Sequence, residues 1–292
     1  MKKSLLLVLF GLLLLLLCAA CSAEAQVFFA EPPASFLDKP LLRCTFFDVD
    51  EGDAMLLECG GESMLIDGGA DPFREMLREE LEARGLKRGM RYILNTHPHD
   101  DHIDGIIRLF EYGFRPEEYL HSYNDWAVEN DPFQKRAVEY ARKNRVSVRR
   151  VGDSSFLWLG KAEIRIYQCS EYADTNARSL MLKVSFGESS LLLCADITGR
   201  AQLYFAETLP DGVLNADVIK VPHHGITPVN AEFMDAVSPT AAVVTNMYKR
   251  LDGKTAYQLQ EREIAAAYSG DGTVYAVTDG ADWYIWQEKA AQ

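Results

Sequence analysis

The sequence is poor in cysteine, and the cysteines it has are not spaced for chemistry. Two of the six, Cys18 and Cys21, fall in an apolar N-terminal stretch. The others, Cys44, Cys59, Cys169 and Cys194, form no Cys-x-x-Cys pair and none stands next to a histidine, so none reads as a nucleophile. Cys44 and Cys59 fall on consecutive predicted strands, where a hairpin could bring them together; buried free thiols are the preferred expectation. Positive charge is also scarce. Thirty Lys and Arg against 43 Asp and Glu give a net charge of −13. A chain so acidic repels polyanions at long range. That argues against a protein whose main task is to grip nucleic acid, since such a grip rests on Lys and Arg neutralising phosphates. The one basic stretch, Lys135 to Arg150, reads as a solvated helix face. Internal repeats and linkers are absent, and no long apolar run follows the N-terminus.

That N-terminus reads as an export signal. Lys2 and Lys3 precede the apolar run Leu5 to Leu17, and the small residues Cys18-Ala19-Ala20-Cys21-Ser22-Ala23 follow. The run is shorter than the roughly 20 residues a membrane span needs. Ala19-Ala20-Cys21 resembles the lipobox of bacterial lipoproteins, with Cys21 as the lipid-bearing residue, although Cys18 stands where leucine is usual. Cleavage after Ala23-Glu24-Ala25 is the competing reading. The expectation is a lipoprotein-type signal over 1–21, a tether over 22–40 and one domain over 41–289. The protein would be exported and lipid-anchored on the outer face of the cell membrane, or secreted.

Periodicity and turn residues place the elements. Strands are predicted over Leu42–Val49, Ala54–Glu58 and Ser63–Ile66, joined by Gly-containing turns. Asp71-Pro72 opens a helix, as N-cap and first helical residue, that stops at Gly85. Arg91–Asn95 is a strand, Ile103–Tyr112 a helix, and Asp131-Pro132 opens a helix to about Asn144. Strands follow over Ser147–Val151, Phe156–Leu159 and Ile164–Gln168. Ser179–Phe186 and Ser189–Cys194 form a hairpin around Gly187-Glu188. Helices are predicted over Arg200–Glu207, Ala231–Val237 and Glu261–Tyr268. Val218–Val221 and Ala241–Thr245 are strands, and Val274–Thr278 with Trp283–Trp286 is a closing hairpin. The order suggests one α/β (α+β) domain with two sheets covered by outer helices.

Chemistry concentrates where predicted strands stop. Asn95-Thr96-His97-Pro98-His99-Asp100-Asp101-His102 packs half of the six histidines into one H-x-H-x-D-H segment directly after an apolar run. Zinc prefers that mixture of imidazole and carboxylate donors. Asp196 and His223-His224 likewise follow strands. If these strand ends share one sheet edge, His97, His99, Asp101, His102, Asp196 and His223 are six candidate ligands. Six suffice for two metals about 3.5–4 Å apart sharing a carboxylate.

With these residues in view, the sequence resembles a metallo-β-lactamase-fold hydrolase. The likeness is to the extracellular hydrolase domain of the competence protein ComEC and its free-standing relatives. The matching pieces are Phe47-Asp48-Val49-Asp50-Glu51-Gly52-Asp53-Ala54, Leu65-Ile66-Asp67-Gly68-Gly69 and Thr96 to Gly105. Asn176 with Ser179-Leu180-Met181-Leu182, Cys194-Ala195-Asp196 and Lys220-Val221-Pro222-His223-His224-Gly225 complete the series in the family's order. The resemblance implies a four-layer αββα sandwich with the site at one edge. It implies His97 and His99 on a first metal, Asp101 and His102 on a second, Asp196 bridging, and His223 completing the second site. His223 is preferred to His224 because it is nearer the strand end. Two divalent ions, zinc or manganese, would activate a water that the catalytic Asp101 orients. Asp67 would hold a ligand imidazole from behind or merely shape its turn, and Asp48 and Asp53 would shape the first turn. Where many relatives add a histidine to the first metal, this chain has Asp174-Thr175-Asn176. Lys249-Arg250 and Lys254-Thr255 stand where a further histidine segment is often found.

The activity implied is hydrolysis of a phosphodiester, small-molecule or polymeric, in nucleic acid or in the cell envelope. A stable nucleic-acid complex is not expected. The alternatives are hydrolysis of carboxylic esters, lactones or β-lactams, and a non-catalytic metal- or ligand-binding lipoprotein.

Overall fold

The computed structural model describes residues 25–288. The signal segment, Cys21 and the start of the expected tether lie outside the described residues. In chain order the first half carries β1 (Val27–Phe28), α1 (Ala34–Leu37), β2 (Leu42–Phe46), β3 (Met55–Cys59), β4 (Glu62–Ile66), α2 (Arg74–Ala83), β5 (Tyr92–Leu94), α3 (Asp100–Glu111), β6 (Glu118–His121), α4 (Asp125–Asn130), α5 (Pro132–Lys143) and β7 (Ser147–Arg150). The second half carries β8 (Ser155–Leu159), β9 (Ala162–Tyr167), β10 (Met181–Phe186), β11 (Ser189–Leu193), α6 (Gly199–Thr208), β12 (Val218–Lys220), α7 (Ala231–Val237), β13 (Ala241–Val244), α8 (Gly253–Glu261), β14 (Ala265–Tyr268), β15 (Val274–Thr278) and β16 (Trp283–Gln287).

The strands make two sheets, ordered β1-β16-β15-β2-β3-β4-β5-β6-β7 and β14-β13-β12-β11-β10-β9-β8. Side-chain alternation explains how they stack. Met55, Leu57, Met64, Ile66 and Leu94 of the first sheet and Ile164, Leu182, Leu191, Leu193 and Val243 of the second share one inner core. The residues between them, Leu56, Leu65 and Ile93, point outward onto Leu81 of α2, Ile103 and Ile106 of α3 and Ala137 of α5. Leu192, Ile219 and Ala242 do the same beneath Phe205 of α6, Phe233 of α7 and Leu259 of α8. Central strands buried on both faces are why Val218-Ile219 and Leu191-Leu192-Leu193 read as unbroken apolar runs. The result is the expected four-layer αββα sandwich.

Parallel pairing then gathers the loops. In the first sheet β4, β5, β6 and β7 run parallel, and in the second β11, β12, β13 and β14 do. Their carboxyl ends share one edge, so the loops carrying His97–His102, Asp196 and His223-His224 emerge together. Leu180 donates its backbone N–H to Thr96 O at 3.2 Å, tying the two sheets there.

Several expectations change. From Val27 the expected tether enters the domain, since β1 pairs parallel with β16 and Phe36 of α1 is buried. Asp71 lies inside a short 3-10 turn, Asp71–Phe73, that precedes α2, and is not an N-cap. Helix α3 begins at Asp100 rather than Ile103, so the second half of the histidine segment is a helix start. Strand β6 and helix α4, between β5 and α5, were not among the predicted elements, although Gly113 and Pro116 precede β6 and Asn124 caps α4 by accepting the Ala127 N–H. The segment Glu261–Tyr268 is the end of α8 followed by β14, not a helix. Alanine has the highest helix propensity, but propensity is a weak prior, and pairing of Ala265, Ala266 and Ala267 with β13 overrides it. Cys44 and Cys59 are not opposite one another: Cys44 pairs with Leu57, Cys59 with Leu42, and all four described cysteines are free and buried.

Candidate metal centre

Strand β5 delivers Asn95, Thr96 and His97 to the shared edge, and His99 stands just before α3 with φ −72° and ψ 150°. The helix then turns Asp101 and His102 back toward the sheets. Glycine makes this close approach possible. A Cβ on Gly105 would lie 1.9 Å from Gly68 O, and Gly68 N–H donates to His102 O at 2.7 Å. The first turn of the sequence closes the other side, where Asp53 N–H donates to Asp101 O at 3.2 Å.

Two imidazoles face each other across this space. His102 Nε2 and His224 Nε2 are 3.2 Å apart, and both rings are fully buried. Behind His102, Nδ1 meets Asp67 Oδ2 at 2.8 Å. Behind His224, Nδ1 meets Thr245 Oγ1 at 3.0 Å and Asp53 Oδ1 at 3.2 Å. In their neutral form, with each Nδ1 proton on an oxygen, both rings would point an Nε2 lone pair inward. Asp196 stands between them, Oδ2 at 3.2 Å from His102 Nε2 and Oδ1 at 3.2 Å from His224 Nε2. Asp101 Oδ2 is 3.2 Å from His224 Nε2 and 3.8 Å from His102 Nε2.

His97 packs beside His102, with 4.1 Å between ring centroids. Its Nε2 lies 3.7 Å from Asp196 Oδ2 and, though buried, has no hydrogen-bond partner, like Asp196 Oδ1 and Asn176 Oδ1. His99 packs edge-on against the His97 ring at 4.6 Å between centroids. His223 is half-buried, its Nε2 3.8 Å from Asp196 Oδ2 and 3.3 Å from Asn176 Nδ2. The expectation that His223 joins Asp101 and His102 is therefore corrected: His224 occupies that place. Both residues have positive φ, 48° and 52°, so the chain turns sharply and their rings point to different sides of Asp196. Nearness to the strand end did not reveal that divergence.

Lys220 also escaped the sequence reading. It is fully buried, with Nζ 2.6 Å from Asp53 Oδ2 and donating to Ala195 O at 2.9 Å. A lysine inside the apolar run Val218-Ile219-Lys220-Val221 of a strand covered on both faces was the available signal, because a buried ammonium requires a carboxylate.

The electrostatics ask for a cation. Burial alone would lower His102 and His224, yet Asp196 beside both outweighs it, raising His102 well above its ordinary pKa and His224 to about 10. Burial would raise Asp101, but the hydrogen bond from His224 holds it at about 2. Burial would likewise raise Asp196, but the neighbouring imidazoles His224 and His102 hold it well below the usual carboxylate range. His97 is pushed well below its ordinary value by burial and then by His102, so it stays neutral. The centre holds four carboxylates, Asp53, Asp67, Asp101 and Asp196, beside one lysine, Lys220, which reaches Asp53 and Asp196. Nitrogens about 2.0–2.1 Å from one tetrahedral metal lie roughly 3.3 Å apart, close to the spacing of His102, His224 and Asp196. The donor set, the inward lone pairs and the orphaned buried atoms fit a divalent metal.

This arrangement, two stacked sheets with a His/Asp cluster at their common edge, defines the architecture. The model of the Metallo-beta-lactamase superfamily matches residues 47–166. The chain has the metallo-β-lactamase fold. Among solved structures it resembles the metallo-β-lactamase fold protein YhfI from Bacillus subtilis, at 13% identity and a TM-score of 0.53, over 79% of this chain and 96% of that one. It also resembles a mutant of the CmlA β-hydroxylase, at 16% identity and a TM-score of 0.52, over 82% of this chain and 53% of that one. At such identities the likeness concerns the fold alone. No curated protein matches the sequence.

Proposed function

We propose that the protein is an exported hydrolase that cleaves phosphodiester bonds with two divalent metal ions, zinc or manganese, held around Asp196. The observation that carries this is the pair of opposed Nε2 atoms, His102 and His224, with Asp196 between them. On this reading Asp101, His102, His224 and Asp196 would hold one ion, and His97, His99 and Asp196 would hold the second, with His223 and Asn176 at its rim. When bound, such ions lower the pKa of water and neutralise charge on attacking and leaving oxygens.

The chain's own groups supply the rest. Asp67 and Asp53 fix the imidazole tautomers, a role worth about 10–100-fold in metal affinity elsewhere. Lys220 holds Asp53 and lies 3.8 Å from Asp196 Oδ1, so it fixes the bridging carboxylate's surroundings. Asp101, 27% exposed, is the carboxylate of the cluster that solvent reaches. Held at about 2, it is ionised at neutral pH. It therefore orients a water by accepting its O–H rather than by removing the proton. The motif order shared with the competence-type hydrolases favours a phosphorus centre over a carbonyl.

The test is turnover of bis-p-nitrophenyl phosphate by the purified protein loaded with Zn or Mn, beside p-nitrophenyl acetate and a chromogenic β-lactam. Metal-dependent phosphodiester cleavage that Asp101→Ala abolishes is the expected result. A fully metal-loaded protein that turns over only the ester or the lactam would overturn the reading.

A further inference from the structure

A groove leads away from the metal centre, and its far end is equipped for a ligand. Beside His99 lies a hollow of about 440 Å³ walled by Pro98, Phe133 and Thr175. Beyond it lies a second, of about 300 Å³, walled by Tyr123, Trp126, Arg150, Gln168, Thr175 and Arg178. Thr175 and Asp131 line both, so the two adjoin, and Asn176 next to Thr175 touches His223. Asp131 is already engaged, its Oδ1 accepting the Gln134 N–H at 2.8 Å.

The two arginines of the far hollow are not paired with carboxylates. Within the basic stretch, Lys135 pairs with Glu129, Arg136 with Glu111 and Arg149 with Glu118. Arg150, by contrast, bonds only the Ser122 carbonyl at 3.1 Å, and among the described residues neither it nor Arg178 has a carboxylate partner. Trp126 projects from the first turn of α4 with 75% of its surface exposed. Large exposed aromatics beside a cavity are a common mark of a binding surface. Guanidinium forks match phosphate oxygens, and indole faces stack on flat rings.

We propose that this hollow is a substrate subsite for one nucleotide unit, with its phosphate on Arg150 and Arg178 and its base against Trp126. The proposal rests on the phosphodiesterase reading for the bond that is cut, but not for the binding. The volume suits one unit, and the acidity of the chain disfavours a long polyanion. An envelope polymer bearing choline would also meet Trp126, through its cation, but two unpaired arginines repel that cation.

The experiment titrates the metal-loaded full chain with adenosine 5′-monophosphate and follows tryptophan fluorescence. Saturable quenching is expected, absent in Trp126→Phe and weakened at least tenfold in Arg150→Met/Arg178→Met at an unchanged unfolding midpoint. Saturable binding without phosphodiester turnover would support the subsite and sink the proposed reaction. Turnover of bis-p-nitrophenyl phosphate without saturable quenching would overturn the subsite alone. Affinity unchanged in the double arginine variant would overturn it too, as would phosphocholine competing as well as the nucleotide.

Discussion

His102 Nε2 and His224 Nε2 face each other at 3.2 Å, and a different buried carboxylate holds each ring from behind, Asp67 at 2.8 Å and Asp53 at 3.2 Å. His102 sits on α3, after β5 of one sheet, and His224 in the turn after β12 of the other. The centre is thus a seam between the halves of the sandwich, and perturbing it should register in metal binding as well as in turnover.

His224→Ala is expected to remove a metal from the protein and to lower turnover by at least about 100-fold, whereas His223→Ala should retain that metal. Asp67→Asn and Asp53→Asn should each weaken binding by about 10–100-fold through the rings they orient. Elemental analysis and competition with a chelator read all four. Equal metal loss in the two histidine variants would contradict the placement of His224.

Gly105→Ala should destabilise the fold by at least about 2 kcal/mol, because overpacking against rigid backbone has no flexible side chain to yield. The added Cβ would meet Gly68 O at 1.9 Å, forcing α3 away from the Asp67 turn. Urea unfolding measures the loss, and a near-neutral substitution would show that α3 can shift freely.

His121 supplies a pH dependence. Burial, then the charges of Arg142 and Arg150, lowers it from 6.5 to about 4, and its Nδ1 accepts the Tyr123 N–H at 3.2 Å. The unfolded chain binds the proton more tightly, so this contribution is fully present above pH 6.5 and is lost as pH falls toward 4. The loss at pH 4 is about 3 kcal/mol at 1.36 kcal/mol per pKa unit. His121→Asn, which keeps an acceptor, should flatten the wild-type slope of unfolding free energy between pH 6.5 and 4.5. An unchanged slope would place the acid sensitivity elsewhere.

Cys21→Ala should release the protein from membranes into the medium or periplasm, as judged by fractionation and immunoblotting. Retention of the variant in the membrane fraction would contradict the lipid anchor read from Ala19-Ala20-Cys21.

The sandwich was legible in the sequence because both of its signals are local. Short unbroken apolar runs, as in Leu191-Leu192-Leu193, and turn residues such as Gly187 and Gly280 report strands wherever they occur. Strand β6 was not legible: Glu118-Tyr119-Leu120-His121 is short and has charged or titratable residues at both ends, and parallel pairing with β5 and β7 is what makes it a strand. The tendency of Ala265–Ala267 toward helix was likewise overruled by a neighbour distant in the chain.

At the metal centre, the sequence by itself determined which segments carry donors, since His97–His102, Asp196 and His223-His224 each follow an apolar run that must stop at a sheet edge. Only the tertiary structure decided which histidine of the pair faces Asp101. Side-chain direction at His223 and His224 depends on two consecutive left-handed backbone conformations, and no spacing rule carries that information. The tertiary structure alone also paired Lys220 with Asp53. A buried ammonium finds its carboxylate across 167 positions of chain only once the two sheets have closed on one another.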